Sequence, residues 1–583
     1  MYNMRCLYLM ALCCFSSLTQ AQEMATAAIG HPPLKAGASS SQNATWPQAA
    51  DNTQVSFVSS DIRFVKDQAP NVAIESRWDA VAWKGEKIHT QILIQTRQNA
   101  GNIQVQVSDL VNAAGQRVNS KNVKAGFVQY VWTDAFGKGC GARKTTDFDS
   151  SLVADVVDTT AFMAVASNTA QPVWVSITIP QNAASGKYTG TVTVQADQTF
   201  QLPISVKVLD HVLPSPSEWQ FDLDLWQHPA AIARVHNVPL WSAEHYRLMK
   251  PYYTMLASAG QKNITTSIIH EPWNHQTYDD FPSLIKWTKR KDGGWVYDYT
   301  LFDQYVSFVM SCGINQRINC YSMVPWKMSF QYFDEASGKD TFVVAKTGSP
   351  EYNAHWGRML KDFTRHLKQK GWFGKTAIAM DERPMKDMQA VITLLKSIDK
   401  NWKITLAGDY HAEIEKDIYE YCVASKWQLE SEVLQRRKAQ QKPTTYYTCC
   451  VEAYPNGFTF SPPAEHVWIG WYAAAKGFTG YLRWAYNSWV ADPLQDSRFR
   501  TWPAGDTYQV YPGPRTSIRF EKLIEGIQDF EKIRILRQKF TQANNKTKLD
   551  ALNQLLAVYE IQALANTPAA EMVKTTKAAL NEL

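Results

Sequence analysis

The ten residues TAIAMDERPM (376–385) join a short apolar run to two adjacent carboxylates. The run 377–380 has the length and the apolar character of a buried parallel strand. Pro384 cannot continue a strand ladder, so the predicted strand ends where Asp381 and Glu382 begin. Because the carboxyl ends of strands carry the chemistry of α/β barrels and doubly wound sheets, the stretch predicts an active site. A structural ion pair with the neighbouring arginine is the alternative.

The region around this stretch alternates between short apolar strands and amphipathic helical patterns from residue 219 onward. Eight strands that alternate with helices predict a (β/α)8 TIM barrel, in which the stretch with the two acids is the fourth strand. Helical patterns continue to residue 583 and are expected to pack outside the barrel. The predicted strands cover residues 221–226, 264–270, 318–323, 376–380, 402–407, 421–424, 445–450 and 480–484.

The region before the barrel has a different period. Between residues 54 and 213, several short segments alternate apolar and polar side chains and are separated by Gly, Asn, Asp and Pro. This pattern predicts an antiparallel β-sandwich. We therefore divide the chain into a β-sandwich domain (48–213) and a barrel with C-terminal helices (214–583). The sandwich carries no acid pair, so we expect it to brace the barrel or to help hold a substrate.

The N-terminus has the pattern of a secretory signal. An apolar centre at residues 7–15 follows Arg5, and small residues precede Ala21, so residues 1–21 are predicted to be a signal peptide cleaved near Ala21. Residues 22–47 are rich in Ala, Gly, Ser and Pro and are predicted to be a flexible leader. No later stretch is long and apolar enough to cross a bilayer. We expect a secreted or periplasmic protein without a transmembrane segment.

Composition restricts the possible partners. The net charge is only +6 over 583 residues, and no long basic run is present, so nucleic acid is not a predicted partner. The chain has 21 Trp, and flat indole rings line many sugar-binding clefts, although they also fill cores. The six cysteines beyond the signal have no metal spacing and are expected to be buried thiols; a Cys312–Cys320 disulfide is the possible exception.

The predicted strand ends gather aromatic, acidic and amide side chains on one rim, which is the chemistry of a sugar pocket. The rim has no Gly-rich phosphate loop and no nucleophilic serine motif. A metal held by His270, Glu271 and His411 has no supporting spacing, so we predict neither a metal nor a cofactor. The candidate substrate-binding residues are Trp226, His270, Lys327, Asp409, Tyr447, Trp484, Asn487 and Trp489.

Each of these residues also has a structural interpretation. His270 could be a buried histidine that bonds a carbonyl group, and Asp409 could cap the helix that follows the fifth strand. The tryptophans could fill the mouth of the barrel without contacting a ligand.

The spacing of the two acids limits the mechanism. A glycosidase with two carboxylates on opposite faces of the sugar separates them by ~5 Å if retaining and by ~6.5–9.5 Å if inverting. Asp381 and Glu382 are adjacent and cannot readily straddle a pyranose ring. They suit a reaction in which one acid protonates the leaving oxygen while the other stabilises a nucleophile that belongs to the substrate. The carbonyl oxygen of a 2-acetamido group is such a nucleophile, and its attack on C1 forms an oxazolinium ion.

Several features together resemble glycoside hydrolase family 123. They are the Asp-Glu pair after the fourth strand, the preceding sandwich, the segment YLRWAYN (481–487) and the segment FEKLIEGIQDFE (520–531). The resemblance implies a secreted bacterial β-N-acetylgalactosaminidase that acts by substrate assistance, with Glu382 as general acid/base and Asp381 stabilising the acetamido group. Family 20 hexosaminidases also use an Asp-Glu pair after a fourth strand, so the pair alone does not choose between the families.

The leading hypothesis is an exo-acting retaining hydrolase that releases terminal β-linked N-acetylgalactosamine from a glycolipid or an oligosaccharide. It predicts that apolar ring faces raise the pKa of Glu382, and that Asp381 stays ionised. One alternative is a conventional double-displacement β-glycosidase, with Glu382 as acid/base and Glu452 as nucleophile. Another alternative is a glycan-binding protein without catalytic activity.

Overall fold

The structure is a computed structural model that describes residues 53–70, 72–136, 139–141, 150–160 and 162–583. The signal peptide and the leader predicted for residues 1–21 and 22–47 lie outside the described residues. Among the described helices, none combines the length and the apolar character needed to span a bilayer.

The N-terminal domain consists of two stacked sheets. The first has the strand order β1-β3-β10-β7-β8, and the second has the order β2-β12-β11-β4-β9, with β5 beside β11 and β6 beside β5. Apolar side chains from both sheets form the core between them. The strands are β1 Thr53–Val58, β2 Trp78–Lys84, β3 Lys87–Thr96, β4 Ala100–Val107, β5 Leu110–Asn112, β6 Arg117–Val118, β7 Val123–Thr133, β8 Ser151–Val157, β9 Phe162–Val165, β10 Thr169–Thr178, β11 Gly186–Gln195 and β12 Thr199–Val212.

These strands confirm the predicted antiparallel sandwich, with one local exception. Strand β2 runs parallel to β12, whereas the other strand pairs between described residues of the domain are antiparallel. Strand β12 ends at Val212, and a short 3-10 turn at Pro216–Glu218 leads into the next domain.

The second domain is the predicted barrel. Its eight parallel strands have the order β13-β24-β23-β22-β21-β20-β17-β14, and a parallel bridge from Leu223 to Gln261 brings the first and last strands together. Four further strands form a side sheet with the order β16-β15-β18-β19. From residue 222 on, the strands are β13 Asp222–Leu225, β14 Asn263–Ser267, β15 Lys286–Lys289, β16 Trp295–Asp298, β17 Arg317–Tyr321, β18 Ser329–Asp334, β19 Lys339–Val344, β20 Thr376–Met380, β21 Lys403–Gly408, β22 Glu420–Ala424, β23 Thr444–Tyr447, β24 Gly480–Arg483 and β25 Thr516–Ser517.

The helices surround the barrel and extend beyond it. The helix Pro350–Gln369, for example, begins after Ser349, whose side chain accepts a hydrogen bond from the backbone of Tyr352, and its apolar side chains face the core. The described helices are α1 Pro229–Val235, α2 Ala243–Ala257, α3 Thr300–Ser311, α4 Pro350–Gln369, α5 Met385–Ile398, α6 Ser431–Ala439, α7 Ala464–Lys476, α8 Ile518–Gln542, α9 Lys546–Leu556 and α10 Ala569–Leu580.

Helices α7 and α8 cross at two glycines. A Cβ atom added to Gly470 would lie 2.0 Å from the carbonyl oxygen of Gly526, so neither position has room for a side chain there. The close crossing lets α8 lie buried along most of its length, including its charged residues.

The long helix α8 also joins the two domains. Strand β25, directly before it, pairs with β8 and so extends the first sheet of the sandwich. Arg519 donates to Asp155 at 2.9 Å, and Lys532 donates to Glu86 at 2.5 Å. All four side chains are buried, and each charge is compensated by its partner in the other domain.

A disulfide bond between Cys140 and Cys450 forms a second connection between the domains. Cys140 follows β7 of the sandwich, and Cys450 follows β23 of the barrel. The possible Cys312–Cys320 disulfide was a wrong expectation, because both residues are free thiols. Both are buried, Cys320 in β17 and Cys312 after the helix Thr300–Ser311, as the leading prediction of buried thiols required. That prediction was wrong for Cys140 and Cys450, which form the disulfide.

Candidate active site

A cavity of about 350 Å³ opens at the carboxyl ends of β20 to β23. Both predicted catalytic acids line it, together with other ionisable side chains that follow the neighbouring strands. The lining residues are Asp381, Glu382, Arg383, Pro384, Met385, Met388, Leu406, Gly408, Asp409, His411, Ala424, Lys426, Tyr447, Cys449, Val451 and Glu452.

Asp381 is the buried member of the acid pair. Its side chain and backbone together are only 8% exposed, and Trp273 Nε1 donates to its Oδ2 atom at 2.7 Å. Its Oδ1 atom is buried and has no hydrogen-bond partner among the described residues. One carboxylate oxygen is therefore fixed by the protein, and the other is left for a ligand that can donate a hydrogen bond.

The surroundings of Asp381 shift its protonation. Burial raises the pKa of this carboxyl to about 7, the Trp273 hydrogen bond opposes the rise, and the adjacent Glu382 adds to it. Near pH 7 the unliganded protein therefore contains both protonated and ionised Asp381, whereas the sequence predicts an ionised group. A cationic group on the ligand would favour the ionised form of Asp381, because opposite charges stabilise each other at short range.

Glu382 lies on the solvent side of the cavity and is exposed. The hydroxyl group of Tyr447 donates a hydrogen bond to its Oε1 atom. Burial and the nearby carboxylate raise the pKa of Tyr447, so the phenol stays protonated and acts as the donor. The polar contact and the exposure of Glu382 differ from the apolar ring faces that we expected around it.

Asp409 lies beside the pair at the end of β21. Trp427 Nε1 donates to Asp409 Oδ1 at 2.9 Å, and the Lys426 ammonium group lies 2.9 Å from the same atom. The hydrogen bond from Lys426, followed by that from Trp427, lowers the pKa of Asp409. The carboxylate is thus ionised at neutral pH and lines the cavity as a fixed hydrogen-bond acceptor.

Glu452, the nucleophile in the alternative mechanism, also lines the cavity but has two hydrogen-bond partners. Ser425 Oγ donates to its Oε1 atom at 2.6 Å, and the backbone N–H group of Cys449 donates to Oε2 at 2.9 Å. Each oxygen therefore accepts one hydrogen bond from the protein. These contacts support a role for Glu452 in fixing the loop after β23.

An aromatic cluster lies behind Asp381. The ring centroids of Trp273 lie 5.1 Å from Trp226, 4.9 Å from Tyr321 and 4.5 Å from Phe281. Trp226 is buried, and its indole N–H group has no hydrogen-bond partner among the described residues. Trp226 therefore belongs to the apolar wall around the acid pair and does not line the cavity itself.

Three other predicted binding residues follow strands of the barrel. Trp484 is half-buried and packs edge-to-face on Trp502, with ring centroids 5.6 Å apart. Lys327 is exposed after β17. His270 is half-buried after β14, and burial lowers its pKa. These three residues are not among those that line the cavity.

Asn487 and Trp489 have structural contacts. Asn487 accepts from the backbone N–H group of His228 at 2.9 Å and donates to its carbonyl oxygen at 2.9 Å. Trp489 donates to the carbonyl oxygen of Val510 at 2.7 Å. Both side chains are fully buried, so they support the wall of the barrel behind the site.

The predicted binding residues do not include several side chains that the structure places at the acids. Trp273 bonds Asp381, and Lys426 and Trp427 bond Asp409. Trp326 is 40% exposed and lies under the guanidinium group of Arg383, at 5.1 Å from carbon to ring centroid. Lys426 and Trp427 directly follow β22, so a search of the residues after every predicted strand could have found them.

Family comparisons agree with this architecture. Residues 226–536 match the catalytic domain of Glycoside hydrolase 123, and residues 57–196 match the Glycoside hydrolase 123 N-terminal domain. The first match alone covers more than half of the chain. No curated protein matches this chain.

Solved structures provide further comparisons. A family 123 glycoside hydrolase from Clostridium perfringens, whose structural analysis addresses glycolipid glycan hydrolysis, is 27% identical to this chain with a TM-score of 0.81. The alignment covers 91% of this chain and 99% of that chain. A family 39 glycoside hydrolase from Bacteroides cellulosilyticus WH2 is 10% identical over 78% of this chain and 82% of that chain, with a TM-score of only 0.32.

The N-terminal match lies within the sandwich, and the catalytic match covers the barrel strands after β13 and the residues that line the cavity. This chain belongs to glycoside hydrolase family 123.

Proposed function

We propose that this protein is an exo-acting retaining glycoside hydrolase that releases terminal β-linked N-acetylgalactosamine by substrate-assisted catalysis. The observation that carries the proposal is the asymmetry of the acid pair. Asp381 is buried with one oxygen held by Trp273 and the other unpartnered among the described residues, whereas Glu382 is exposed at the cavity. Two adjacent acids in different surroundings suit two different roles.

In this mechanism Glu382 donates a proton to the leaving glycosidic oxygen. The carbonyl oxygen of the substrate's 2-acetamido group attacks C1, and the C1–oxygen bond to the aglycone breaks. Asp381 Oδ1 accepts a hydrogen bond from the amide N–H group and stabilises its growing positive charge. Glu382 then removes a proton from water, which attacks C1 and regenerates the acetamido group with net retention.

The natural substrate is proposed to be a glycolipid or an oligosaccharide with terminal β-N-acetylgalactosamine. The Clostridium perfringens relative supports a glycolipid, because its structural analysis concerns glycolipid glycans. We further propose that a signal peptide at residues 1–21 directs the protein to secretion or to the periplasm. Residues 48–213 and 214–583 are the two proposed domains.

The double-displacement alternative requires a free carboxylate as nucleophile. Glu452 lines the same cavity, which favours it as the candidate, but its two oxygens already accept hydrogen bonds from Ser425 and Cys449. The glycan-binding alternative leaves the buried Asp381 without a function.

The test compares 4-nitrophenyl β-glycosides of N-acetylgalactosamine, N-acetylglucosamine and galactose. We expect cleavage of the first and no cleavage of galactoside, because galactose lacks the acetamido nucleophile. Asp381→Asn and Glu382→Gln should each lower kcat by at least about 100-fold. Asp387→Asn, the same chemical change in the first turn of α5 and outside the cavity lining, is the matched control.

Two results would contradict the proposal. Efficient cleavage of the galactoside, combined with covalent labelling of Glu452 by a 2-fluoro sugar, would support double displacement. Binding of N-acetylgalactosamine glycans without release of any product would support a glycan-binding protein.

A further inference from the structure

Trp273, whose side chain donates the hydrogen bond to Asp381, lies in a loop that is closed by its own hydrogen bonds. Residues 271–281 follow β14, and the Glu271 carboxylate accepts from the backbone N–H groups of His275, at 2.7 Å, and of Phe281. The backbone of Glu271 in turn donates to the carbonyl oxygen of Phe281 at 3.0 Å. The buried Glu271 side chain therefore closes the loop on itself.

The backbone of this loop is unusual as well. Glu271, Asn274 and His275 have φ angles of 49°, 53° and 58°, in the left-handed region that residues with side chains rarely adopt. Such conformations persist only where the surrounding contacts fix them. The Glu271 hydrogen bonds supply contacts of this kind, so the loop has little freedom to move Trp273 away from Asp381.

The indole ring is also enclosed on its faces and edges. Trp226, Tyr321 and Phe281 lie within about 5 Å of it, ring centroid to ring centroid. Rotation of the Trp273 ring would displace these neighbours. Its N–H group is thus held in one direction, toward Asp381 Oδ2.

We propose that Trp273 is a positioning residue for the reaction. Its indole N–H group holds Asp381 Oδ2 and directs Oδ1, which has no hydrogen-bond partner in the described part of the chain, toward the amide of the substrate. This inference rests on the proposed function, which assigns Asp381 to the acetamido group. It adds that the Asp381 carboxylate is oriented by a tryptophan in the loop after β14, and not by residues next to Asp381 in the sequence.

The hydrogen bond has a second effect, on protonation. A donor that bonds a carboxylate favours the charged form, so Trp273 holds the pKa of Asp381 below the value that burial alone would give it. The other groups that act on Asp381 are Glu382 and Arg383 from its own segment, Trp326 from the loop after β17, and Tyr321 at the end of β17. Loss of the Trp273 donor should therefore raise the pH at which Asp381 ionises.

The experiment replaces the donor and follows the ionisation of Asp381 in two ways. Trp273→Phe removes the N–H group, and 3-benzothienylalanine at position 273 removes it while keeping the shape of the indole ring. Trp287→Phe is the matched control, because Trp287 is also buried and donates to a backbone carbonyl oxygen, that of Ile268, at 2.9 Å.

The first readout is the pH dependence of kcat/KM on 4-nitrophenyl β-N-acetylgalactosaminide. We expect the limb of the profile that belongs to Asp381, the one with its midpoint near pH 7 in the parent, to move up by roughly one pH unit in both position-273 variants and to stay unchanged in Trp287→Phe. A simple loss of packing would lower the rate at every pH without moving the midpoint. An unmoved midpoint in the folded benzothienylalanine variant overturns the proposal.

The second readout needs no substrate. Asp381→Asn removes a carboxyl group that is costly to ionise in the folded protein. The stability gained by this substitution therefore grows with pH and levels off at the pKa of Asp381 in the folded protein. The melting temperatures of the parent and of the Asp381→Asn variant should differ by an amount that grows up to a plateau near pH 7. When both proteins also carry Trp273→Phe, the plateau should begin roughly one unit higher.

The two readouts separate the possible failures. If the protein does not cleave the N-acetylgalactosaminide, the proposed function fails, and the melting temperatures still report whether Trp273 controls Asp381. If the plateau begins at the same pH in both backgrounds, the positioning role is wrong even when the enzyme is active. An equal shift in Trp287→Phe contradicts it too, because the effect would then not depend on contact with Asp381.

Discussion

The hydroxyl group of Tyr447, at the end of β23, donates a hydrogen bond to the carboxylate of Glu382, which follows β20. Two strands, β21 and β22, separate these residues in the barrel, so the bond crosses the cavity. It orients the proposed acid/base and closes one side of the site.

Removal of this hydroxyl group should weaken catalysis without unfolding the protein. In Tyr447→Phe, Glu382 loses its hydrogen-bond donor and becomes free to rotate, so we expect kcat to fall by roughly 10- to 100-fold. Steady-state kinetics on the N-acetylgalactosaminide checks this. Tyr446→Phe is the control, since that hydroxyl group donates to the Ile469 carbonyl oxygen at 2.9 Å. Similar losses in both variants would contradict the prediction.

Asp381 should lower the stability of the protein at alkaline pH. Its pKa is raised to about 7 in the folded state, so the cost of ionising it in a buried site grows as pH rises from about 4, the pKa of an unfolded aspartate, and levels off above about 7. We expect Asp381→Asn to stabilise the protein by about 2 to 3 kcal/mol more at pH 8 than at pH 5. Chemical unfolding at the two pH values measures the difference. A gain for Asp381→Asn that is equal at both values would be evidence against a raised pKa.

Reduction of the Cys140–Cys450 disulfide should affect both stability and activity. The bond closes a loop of 310 residues and anchors the segment that carries Glu452 to the sandwich. We expect the double variant Cys140→Ser/Cys450→Ser to lose about 3 to 5 kcal/mol of stability. Dithiothreitol should lower the melting temperature and the activity of the parent but have no further effect on the double variant. An equal response of both proteins to dithiothreitol would place the sensitivity elsewhere.

His355 should make the protein sensitive to mild acid. It is buried beside Trp287, 4.8 Å from ring to ring, and neither ring nitrogen has a hydrogen-bond partner among the described residues. Burial lowers its pKa to about 4, so the histidine is neutral in the folded state. Its contribution is complete above about pH 6.5 and is lost as pH falls from there toward 4.

The variant His355→Phe tests this assignment. Between pH 7.5 and pH 5, the parent should lose about 2 kcal/mol more stability than the variant, as measured by urea unfolding at both pH values. Parallel losses would show that protonation of His355 does not contribute.

The sequence predicted the barrel, the sandwich and the position of the acid pair because these depend on local patterns. A five-residue apolar strand followed by Asp381 and Glu382 has few structural interpretations, and the period-two segments between residues 54 and 213 indicate a sandwich directly. The parallel pairing of β2 with β12 could not be predicted, because the alternation of side chains is the same in either strand direction.

Contacts between distant segments could not be predicted from local sequence patterns. Trp273 and Trp489 both follow predicted strands, yet one bonds Asp381 and the other bonds a backbone carbonyl oxygen in the barrel wall. The direction of a side chain after a strand depends on the loop conformation, which at Trp273 is fixed by the left-handed backbone of Glu271. Likewise, the partner of Cys140 lies 310 residues away, and spacing alone cannot identify it.

The buried charges along α8 restrict how the two domains could be recombined with those of relatives. A chimera that received a foreign sandwich without acids at the positions of Glu86 and Asp155 would leave Lys532 and Arg519 in the interface without these counter-charges. Exchange of the whole sandwich is therefore expected to succeed only when α8 is exchanged with it. For protein engineering, the segment to transfer thus includes a helix from the other domain.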